Sequence, residues 1–242
     1  MTDIAVVREG AGPTVLLVHG GASPRTTWRG LEALRERWTL AYVHRRGYPP
    51  SPPARHDFDV DADDLAPLLA ERPHVVAHSY GCLGALIAAG RAPDRVRSLT
   101  VIEPPLFHLV AGDAEVARLQ GLGDAVLTHG LDAEPAVLRD FLRMAGAQGV
   151  GEGPLPEAVA AGVRRAHGGR LPREAEVPLA VLRAAGVPAL VASWAHRAGV
   201  ERVCDVVADG LGAQRVVVPG AGHFVAAAPG FADALERFLL LA

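Results

Sequence analysis

An apolar run that stops at a serine between small residues constrains the fold of this chain more than any other feature. The segment reads Val-Val-Ala-His-Ser-Tyr-Gly-Cys-Leu-Gly over residues 75–84, and a helical pattern follows it. A tight turn between strand and helix strains the backbone of its central residue, Ser79, and exposes the hydroxyl above the sheet. The flanking positions must be small, and they are Ala77 and Gly81. A reactive serine is therefore expected, and a core strand that merely ends in serine is the alternative.

Two further strand-like runs end in glycine. Residues 14–21 end in His-Gly-Gly, and residues 215–224 end in a glycine turn that presents His223. In an open α/β sheet, the loops at the carboxyl ends of the strands form the ligand site. The order along the chain is therefore a glycine loop, a serine and a histidine, each at the end of a strand.

Strand-like runs alternate with helical patterns, which predicts a mostly parallel sheet covered by helices on both faces. The chain has 242 residues, of which 50% are hydrophobic, so it can bury one large core. We expect a single domain over residues 1–242. The expected strands are residues 3–8, 14–18, 39–44, 74–78, 97–102, 188–193 and 215–218.

The glycine loop, the serine turn and the late histidine together resemble the α/β-hydrolase superfamily along almost the whole chain. Relatives usually have glycine on both sides of the turn, and Ala77 departs from that pattern by one methyl group. The resemblance implies an α/β fold, a mostly parallel sheet flanked by helices, with a helical cap inserted after the sixth strand. Residues 104–172 lack a strong strand and contain helical pieces joined by glycine and proline, so they resemble that cap.

The apolar residues of this segment could line a substrate pocket or form the small core of the cap itself. The second fate is the more common one for an apolar helical face. These residues are Leu106, Phe107, Leu109, Val110, Leu138, Phe141, Leu142 and Met144. Trp28 and Tyr80 could likewise border the pocket or belong to the core.

The resemblance implies that Ser79 is the nucleophile and His223 its base. A serine hydroxyl is a weak nucleophile at neutral pH and needs a base to remove its proton. Three other histidines compete for the role, His19, His78 and His196. His78 is adjacent to the serine and should leave the turn in another direction, and His19 lies in the glycine loop, where relatives carry a structural histidine.

The charge that develops on the substrate carbonyl oxygen needs donors already in place. The resemblance assigns this oxyanion hole to the backbone amides of Gly21 and Tyr80. The glycine pair at residues 20–21 could shift the first donor by one position.

The triad acid departs from the family pattern. Relatives usually place an aspartate in the loop that follows the strand at residues 188–193, but residues 193–200 contain no carboxylate. Some relatives carry the acid at the end of the preceding strand, where this chain has Glu103. An acid that orients a histidine needs only the right distance and direction. We therefore favour Glu103 over Glu201, the first acid after the loop, and leave open that there is no acid.

The expected activity is that of a serine hydrolase that cleaves an ester, lactone or thioester of a small to medium apolar acid through an acyl-serine intermediate. No metal and no organic cofactor is expected, and the partner is a small-molecule substrate. Carbon–carbon hydrolases, cofactor-free haloperoxidases and lyases share nearly the same residues, so fold and triad do not separate them. A non-catalytic binding protein on the same scaffold is the alternative from a different class.

Charge and composition exclude several other functions. The formal charge is −3 and the arginines are dispersed, which argues against a nucleic-acid surface. No apolar stretch approaches the roughly 20 residues that span a bilayer, and the first residues lack a signal-peptide pattern, so a cytoplasmic protein is expected.

The two cysteines, Cys82 and Cys204, are expected to be buried packing residues. The acids that open the helix at residues 59–71 are expected to cap it. The oligomeric state is left open.

Overall fold

The computed structural model describes residues 3–220 and 222–242. They form a seven-stranded sheet in the order β1-β3-β2-β4-β5-β6-β7. β1 pairs with β3 in antiparallel fashion, and the other neighbours are parallel. The strands are β1 (Val6–Glu9), β2 (Thr14–Val18), β3 (Thr39–Val43), β4 (His74–His78), β5 (Ser98–Ile102), β6 (Ala189–Ser193) and β7 (Gln214–Val217). The predicted α/β fold class is confirmed.

Helices cover both faces of the sheet because successive residues of a strand point to opposite sides. In β2, Leu16 and Val18 join the core beneath one layer of helices, whereas Val15 and Leu17 join the core on the other face. The helices are α1 (Pro24–Thr27), α2 (Phe58–Leu65), α3 (Gly81–Arg91), α4 (Ala114–His129), α5 (Pro135–Met144), α6 (Glu157–Ala166), α7 (Leu179–Ala184), α8 (Ala198–Leu211) and α9 (Phe231–Leu241). Residues from α2, α3 and α8 fill the first core, and residues from α9 fill the second.

The helical insertion lies between β5 and β6 and contains α4 to α7. In this chain it follows the fifth of seven strands, whereas the resemblance implied a position after the sixth. Leu138 and Leu142 pack with residues of α4 and α6 in a small core of the insertion. Leu106 and Met144 belong instead to the main core.

The acids near α2 divide between two roles. Asp57 caps the helix, because its side chain accepts hydrogen bonds from the amides of Asp59 and Val60. Asp61 and Asp64 differ from the expectation of capping, since they form ion pairs with Arg45 and Arg46. Sequence pattern alone places acids in a first helical turn but does not reveal an arginine that approaches from another loop.

Both cysteines are buried and free, as expected for packing residues. Cys82 lies in α3 and Cys204 in α8. In residues 3–220 and 222–242, no helix combines the length and the hydrophobicity needed to cross a membrane.

Candidate active site

Ser79 forms the turn between β4 and α3 in a left-handed conformation, with φ of 51°. A non-glycine residue adopts this conformation only where its surroundings hold it there. The turn packs directly on the end of β2. A Cβ added to Gly20 would lie 2.8 Å from the Ser79 Cβ, and one added to Gly81 would lie 2.3 Å from the His19 carbonyl oxygen. Glycine at both positions therefore allows the serine turn and the glycine loop to touch.

Glu103 directly follows β5, the strand next to that of the serine, and is also left-handed, with φ of 45°. Its side chain is 1% exposed. Oε2 accepts a hydrogen bond from His223 Nδ1 at 2.7 Å, and Oε1 accepts one from the Trp194 amide at 3.1 Å. Because a carboxylate only accepts, the proton of a neutral His223 ring lies on Nδ1 and its Nε2 is the free acceptor.

Two histidines contact the same carboxylate. His196 stacks on Trp194 with ring centroids 4.4 Å apart, and its Nδ1 lies 3.5 Å from Glu103 Oε1. Burial by itself would raise the pKa of Glu103, but interactions with His196 and His223 outweigh it and lower the pKa to about 2. Glu103 is therefore ionised at neutral pH.

Glu201, the rival acid, has other partners. It accepts hydrogen bonds from Ser193 Oγ at 2.6 Å and from the Ala195 amide at 2.8 Å. It also pairs with Arg215 at 2.6 Å. These contacts brace the loop after β6, and His223 takes its carboxylate contact from Glu103.

His78 lies beside His223 and holds its backbone. The two ring centroids are 4.5 Å apart, and His78 Nε2 is 2.8 Å from the His223 carbonyl oxygen. Burial, reinforced by His223, lowers the pKa of His78 to about 3, so the ring is neutral and donates from Nε2 to that carbonyl. A weakly basic ring whose proton is already engaged is unsuited to serve as the base.

His19 is also neutral, because burial and the nearby Arg45 lower its pKa well below the usual value. Its Nε2 accepts from the Arg45 amide at 3.2 Å, and Nδ1 donates to the Gly20 carbonyl at 3.1 Å. His19 thus braces the glycine loop in the structural role that the resemblance implied.

The two predicted oxyanion donors are adjacent in sequence to residues at the contact between the serine turn and the glycine loop. Tyr80 follows Ser79 and begins α3 as its N-cap residue. Gly21 follows Gly20, the glycine that packs against Ser79. A Cβ added to Gly21 would have no atom within 4 Å, so the space beside this residue is open. Trp28 is 2% exposed and belongs to the core, although its ring reaches within 6.4 Å of the His78 ring.

Sequence reasoning missed Arg45 and Tyr48, whose side chains contact the glycine loop. Arg45 Nη1 donates to the Gly20 carbonyl at 3.0 Å, and the Tyr48 hydroxyl donates to the Gly21 carbonyl at 2.8 Å. Both lie in the loop after β3, in the segment Arg-Arg-Gly-Tyr at residues 45–48. An arginine next to another arginine gives no local sign that one of them is buried.

A family model described as alpha/beta hydrolase fold matches residues 13–143. A relative from Mesorhizobium japonicum, named 2-(acetamidomethylene)succinate hydrolase, is 32% identical over 241 residues, which cover 90% of this chain and 84% of the relative. The chain belongs to the α/β-hydrolase fold family. The prediction of an enzyme with a small-molecule substrate is thereby confirmed at the level of the family.

Other proteins similar to this α/β-hydrolase either match a shorter part of the chain or have lower sequence identity. A pimeloyl-[acyl-carrier protein] methyl ester esterase from Aeromonas hydrophila is 33% identical over 110 residues, 43% of each chain. An alpha/beta hydrolase structure from Sphaerobacter thermophilus superposes with a TM-score of 0.66 at 24% identity, covering 97% of this chain and 95% of the other. A hydrolase structure from Oleispira antarctica gives 0.65 at 19% identity, covering 100% and 96%. At these identities the two structures support the fold alone.

The low pKa of Glu103 predicts a pH-dependent contribution to stability. Because the pKa falls from 4.5 to about 2 on folding, the contribution is complete above pH 4.5 and is lost as the pH falls toward 2. Its size is on the order of 3 kcal/mol. Urea unfolding of the wild type and Glu103→Gln from pH 2 to pH 6 should show a stability difference that grows with pH and then levels off. A difference that is constant across this range would contradict the assignment.

Proposed function

We propose that this α/β-hydrolase is a serine hydrolase that cleaves an ester, lactone or thioester of a small to medium apolar acid. The single observation that carries the proposal is the 2.7 Å contact between His223 Nδ1 and the buried Glu103 carboxylate. A histidine with an ionised acid on one nitrogen and a free second nitrogen is suited to remove a proton from a nearby hydroxyl. We assign that hydroxyl to Ser79, which lies in a strained turn at the end of the neighbouring strand β4.

In the acylation step, Ser79 Oγ attacks the carbonyl carbon of the substrate while His223 Nε2 takes its proton. Glu103 stabilises the imidazolium that forms and keeps the ring in the required tautomer. The amides of Gly21 and Tyr80 stabilise the negative carbonyl oxygen. His223 then returns the proton to the leaving group, and the acyl-serine remains.

In the deacylation step, His223 Nε2 removes a proton from water as the water oxygen attacks the acyl carbon. The bond between that carbon and Ser79 Oγ then breaks, His223 returns the proton to Oγ, and the free acid leaves. We also propose that residues 104–172 act as a cap over this chemistry. A Cβ added to Gly146, which follows α5, would lie 3.1 Å from the His223 Cβ, so the insertion packs against the catalytic histidine itself. Its helices would then limit the size of the acyl group that reaches Ser79.

The nucleophile is tested by covalent labelling. A fluorophosphonate should attach to Ser79, and mass spectrometry of the digested protein should locate the adduct there. Ser79→Ala should abolish labelling and the turnover of 4-nitrophenyl acetate while circular dichroism is unchanged, because the hydroxyl contributes no packing volume beyond one oxygen. An adduct on Cys82 or on another serine would refute the assignment. A binding protein without turnover should not label at all.

The acid is tested by Glu103→Gln. The amide oxygen can accept from either the Trp194 amide or His223 Nδ1, but its NH₂ group then faces the other donor. His223 should turn or change tautomer, and kcat for 4-nitrophenyl acetate should fall on the order of 1,000-fold. Glu201→Gln is the matched control and should stay within about threefold of wild type. A larger loss in the control would reverse the assignment of the acid.

A second candidate is the hydrolysis of an amide that carries carboxylates. It is favoured by the similarity to 2-(acetamidomethylene)succinate hydrolase over 90% of the chain, since the substrate in that name has an acetamido group and two carboxylates. Arg165 of α6 lies with its Cζ 4.6 Å from the centre of the Tyr48 ring, beside the glycine loop. Its guanidinium could bind a substrate carboxylate there.

A comparison of substrates decides between the two candidates. With 4-nitrophenyl butyrate and 2-(acetamidomethylene)succinate as probes, the first proposal predicts at least a roughly tenfold preference in kcat/KM for the ester. The second candidate predicts the reverse preference, and Arg165→Met should then raise KM for the dicarboxylate alone. Arg164→Met is the matched control, because Arg164 is exposed on the same helix and pairs with Glu157. If the wild type prefers the ester and Arg165→Met shows the same preference, the second candidate is excluded.

A further inference from the structure

The carbonyl groups of the glycine loop are held by donors from within the protein. The Gly20 oxygen accepts from His19 Nδ1 at 3.1 Å and from Arg45 Nη1 at 3.0 Å, and the Tyr48 hydroxyl lies 3.2 Å from it. The single proton of that hydroxyl is donated to the closer Gly21 oxygen, at 2.8 Å. Three contacts to one carbonyl oxygen, from side chains that are 0–3% exposed, leave that peptide little freedom to rotate.

A trans peptide is planar, so its carbonyl oxygen and its N–H point in opposite directions. The Gly20 oxygen and the Gly21 N–H belong to the same peptide. Donors that fix the oxygen therefore also fix the direction of the Gly21 N–H. Glycine has no side chain to restrict this peptide and favours many conformations in the absence of such contacts.

We propose that Arg45 and Tyr48 are positioning residues that aim the Gly21 N–H into the oxyanion hole. The inference rests on the proposed acyl transfer at Ser79 and adds residues that touch neither the substrate nor the serine. Arg45 donates to the oxygen of the peptide whose nitrogen is the proposed donor, and Tyr48 donates to the oxygen of the following peptide, so the backbone is held on both sides of Gly21. The donor is thus oriented before the substrate arrives, which is the condition under which it lowers the barrier.

Arg45 is itself rigidly held. Asp61 Oδ2 accepts from Arg45 Nε at 2.9 Å and from Nη2 at 2.6 Å, so Nη1 is left to face the loop. Burial by itself would lower the pKa of Arg45, but the charge and hydrogen bond of Asp61, together with the neighbouring Tyr48 and Tyr80, outweigh it and raise that pKa, so the guanidinium remains charged. The arginine therefore offers the loop a fixed and permanently charged donor.

The Arg45–Asp61 ion pair also lies close to Tyr80, the second proposed donor of the oxyanion hole. Arg45 Cζ lies 5.1 Å from the centre of the Tyr80 ring, and Tyr80 supplies the other proposed amide. Asp61 can approach because α3 has a glycine opposite it: a Cβ on Gly84 would lie 2.6 Å from the Asp61 Cβ. One buried ion pair thus braces the loop and the start of the helix that follows the nucleophile.

A buried ion pair adds little net stability compared with apolar residues of similar size. A structural role and a positioning role for the Arg45–Asp61 pair can be distinguished by which property is lost when the pair is removed. Loss of a structural pair lowers the amount of folded protein and affects all substrates alike. Loss of positioning affects most the substrate whose transition state depends most on the oxyanion hole.

The test compares 4-nitrophenyl acetate with its thiono counterpart, in which sulfur replaces the carbonyl oxygen. A thiolate-like sulfur is a weak hydrogen-bond acceptor, so the oxyanion donors stabilise its transition state far less. Tyr48→Phe removes the hydroxyl and keeps the ring. We expect kcat for the oxygen ester to fall roughly tenfold with KM within about twofold, and the ratio of kcat/KM between oxygen and thiono esters to fall by a similar factor.

Tyr42→Phe on β3 is the matched control and should leave both the rates and the ratio near wild type. Arg45→Lys keeps a cation for Asp61 but cannot donate to Asp61 and Gly20 in the fork geometry of arginine, so the ratio should fall again. Where Arg45→Lys does not fold, Tyr48→Phe decides. A ratio that is unchanged in folded Tyr48→Phe would overturn the inference, as would equal losses in Tyr42→Phe. If fluorophosphonate labels Ser79 in every variant, such a result counts against the positioning role and not against the serine mechanism.

Discussion

The buried carboxylate of Glu103 is the group around which the carboxyl ends of three elements are arranged. An ionised carboxylate is costly to remove from water unless hydrogen bonds and nearby positive charge replace its hydration. Here the Trp194 amide, at the end of β6, satisfies one oxygen, and His223, after β7, satisfies the other. The histidine loop therefore takes its direction from the end of β5. The left-handed backbone at Glu103 turns the side chain toward these partners.

The histidines of the candidate site have different roles, which depend on their burial and their partners. His78 and His19 are buried and neutral, so each acts as one donor and one acceptor of fixed direction. His78 fixes the backbone at His223, and His19 fixes the glycine loop. His223 instead contacts the ionised carboxylate of Glu103 through Nδ1. His78, which is adjacent to Ser79 in sequence, is therefore a structural brace, and the base of the proposed mechanism is His223, 144 residues after Ser79.

The family shares its fold with many reactions, so substrate choice depends on parts of the chain that the fold does not specify. We propose that in this protein those parts are the insertion between β5 and β6 and the loop after β3. Both approach the glycine loop: Arg165 from the insertion lies over the Tyr48 ring, and Tyr48 contacts the loop carbonyls.

The sequence by itself determined the strands, the serine turn, the glycine loop and the late histidine. Each of these is a local pattern: β-branched runs that end in glycine, or small residues around Ser79, for which short-range sterics allow few conformations. The sequence favoured Glu103 over Glu201 as the acid and left open that there is none, and only the tertiary structure shows which carboxylate contacts His223, because Glu103 and His223 are 120 residues apart. The tertiary structure likewise decided the roles of Arg45 and Asp61, since an ion pair is recognisable only when both partners and their burial are known. Short-range sterics determine which segments form strands and tight turns. The need to pair buried charges determines which of the loops at the strand ends contact one another.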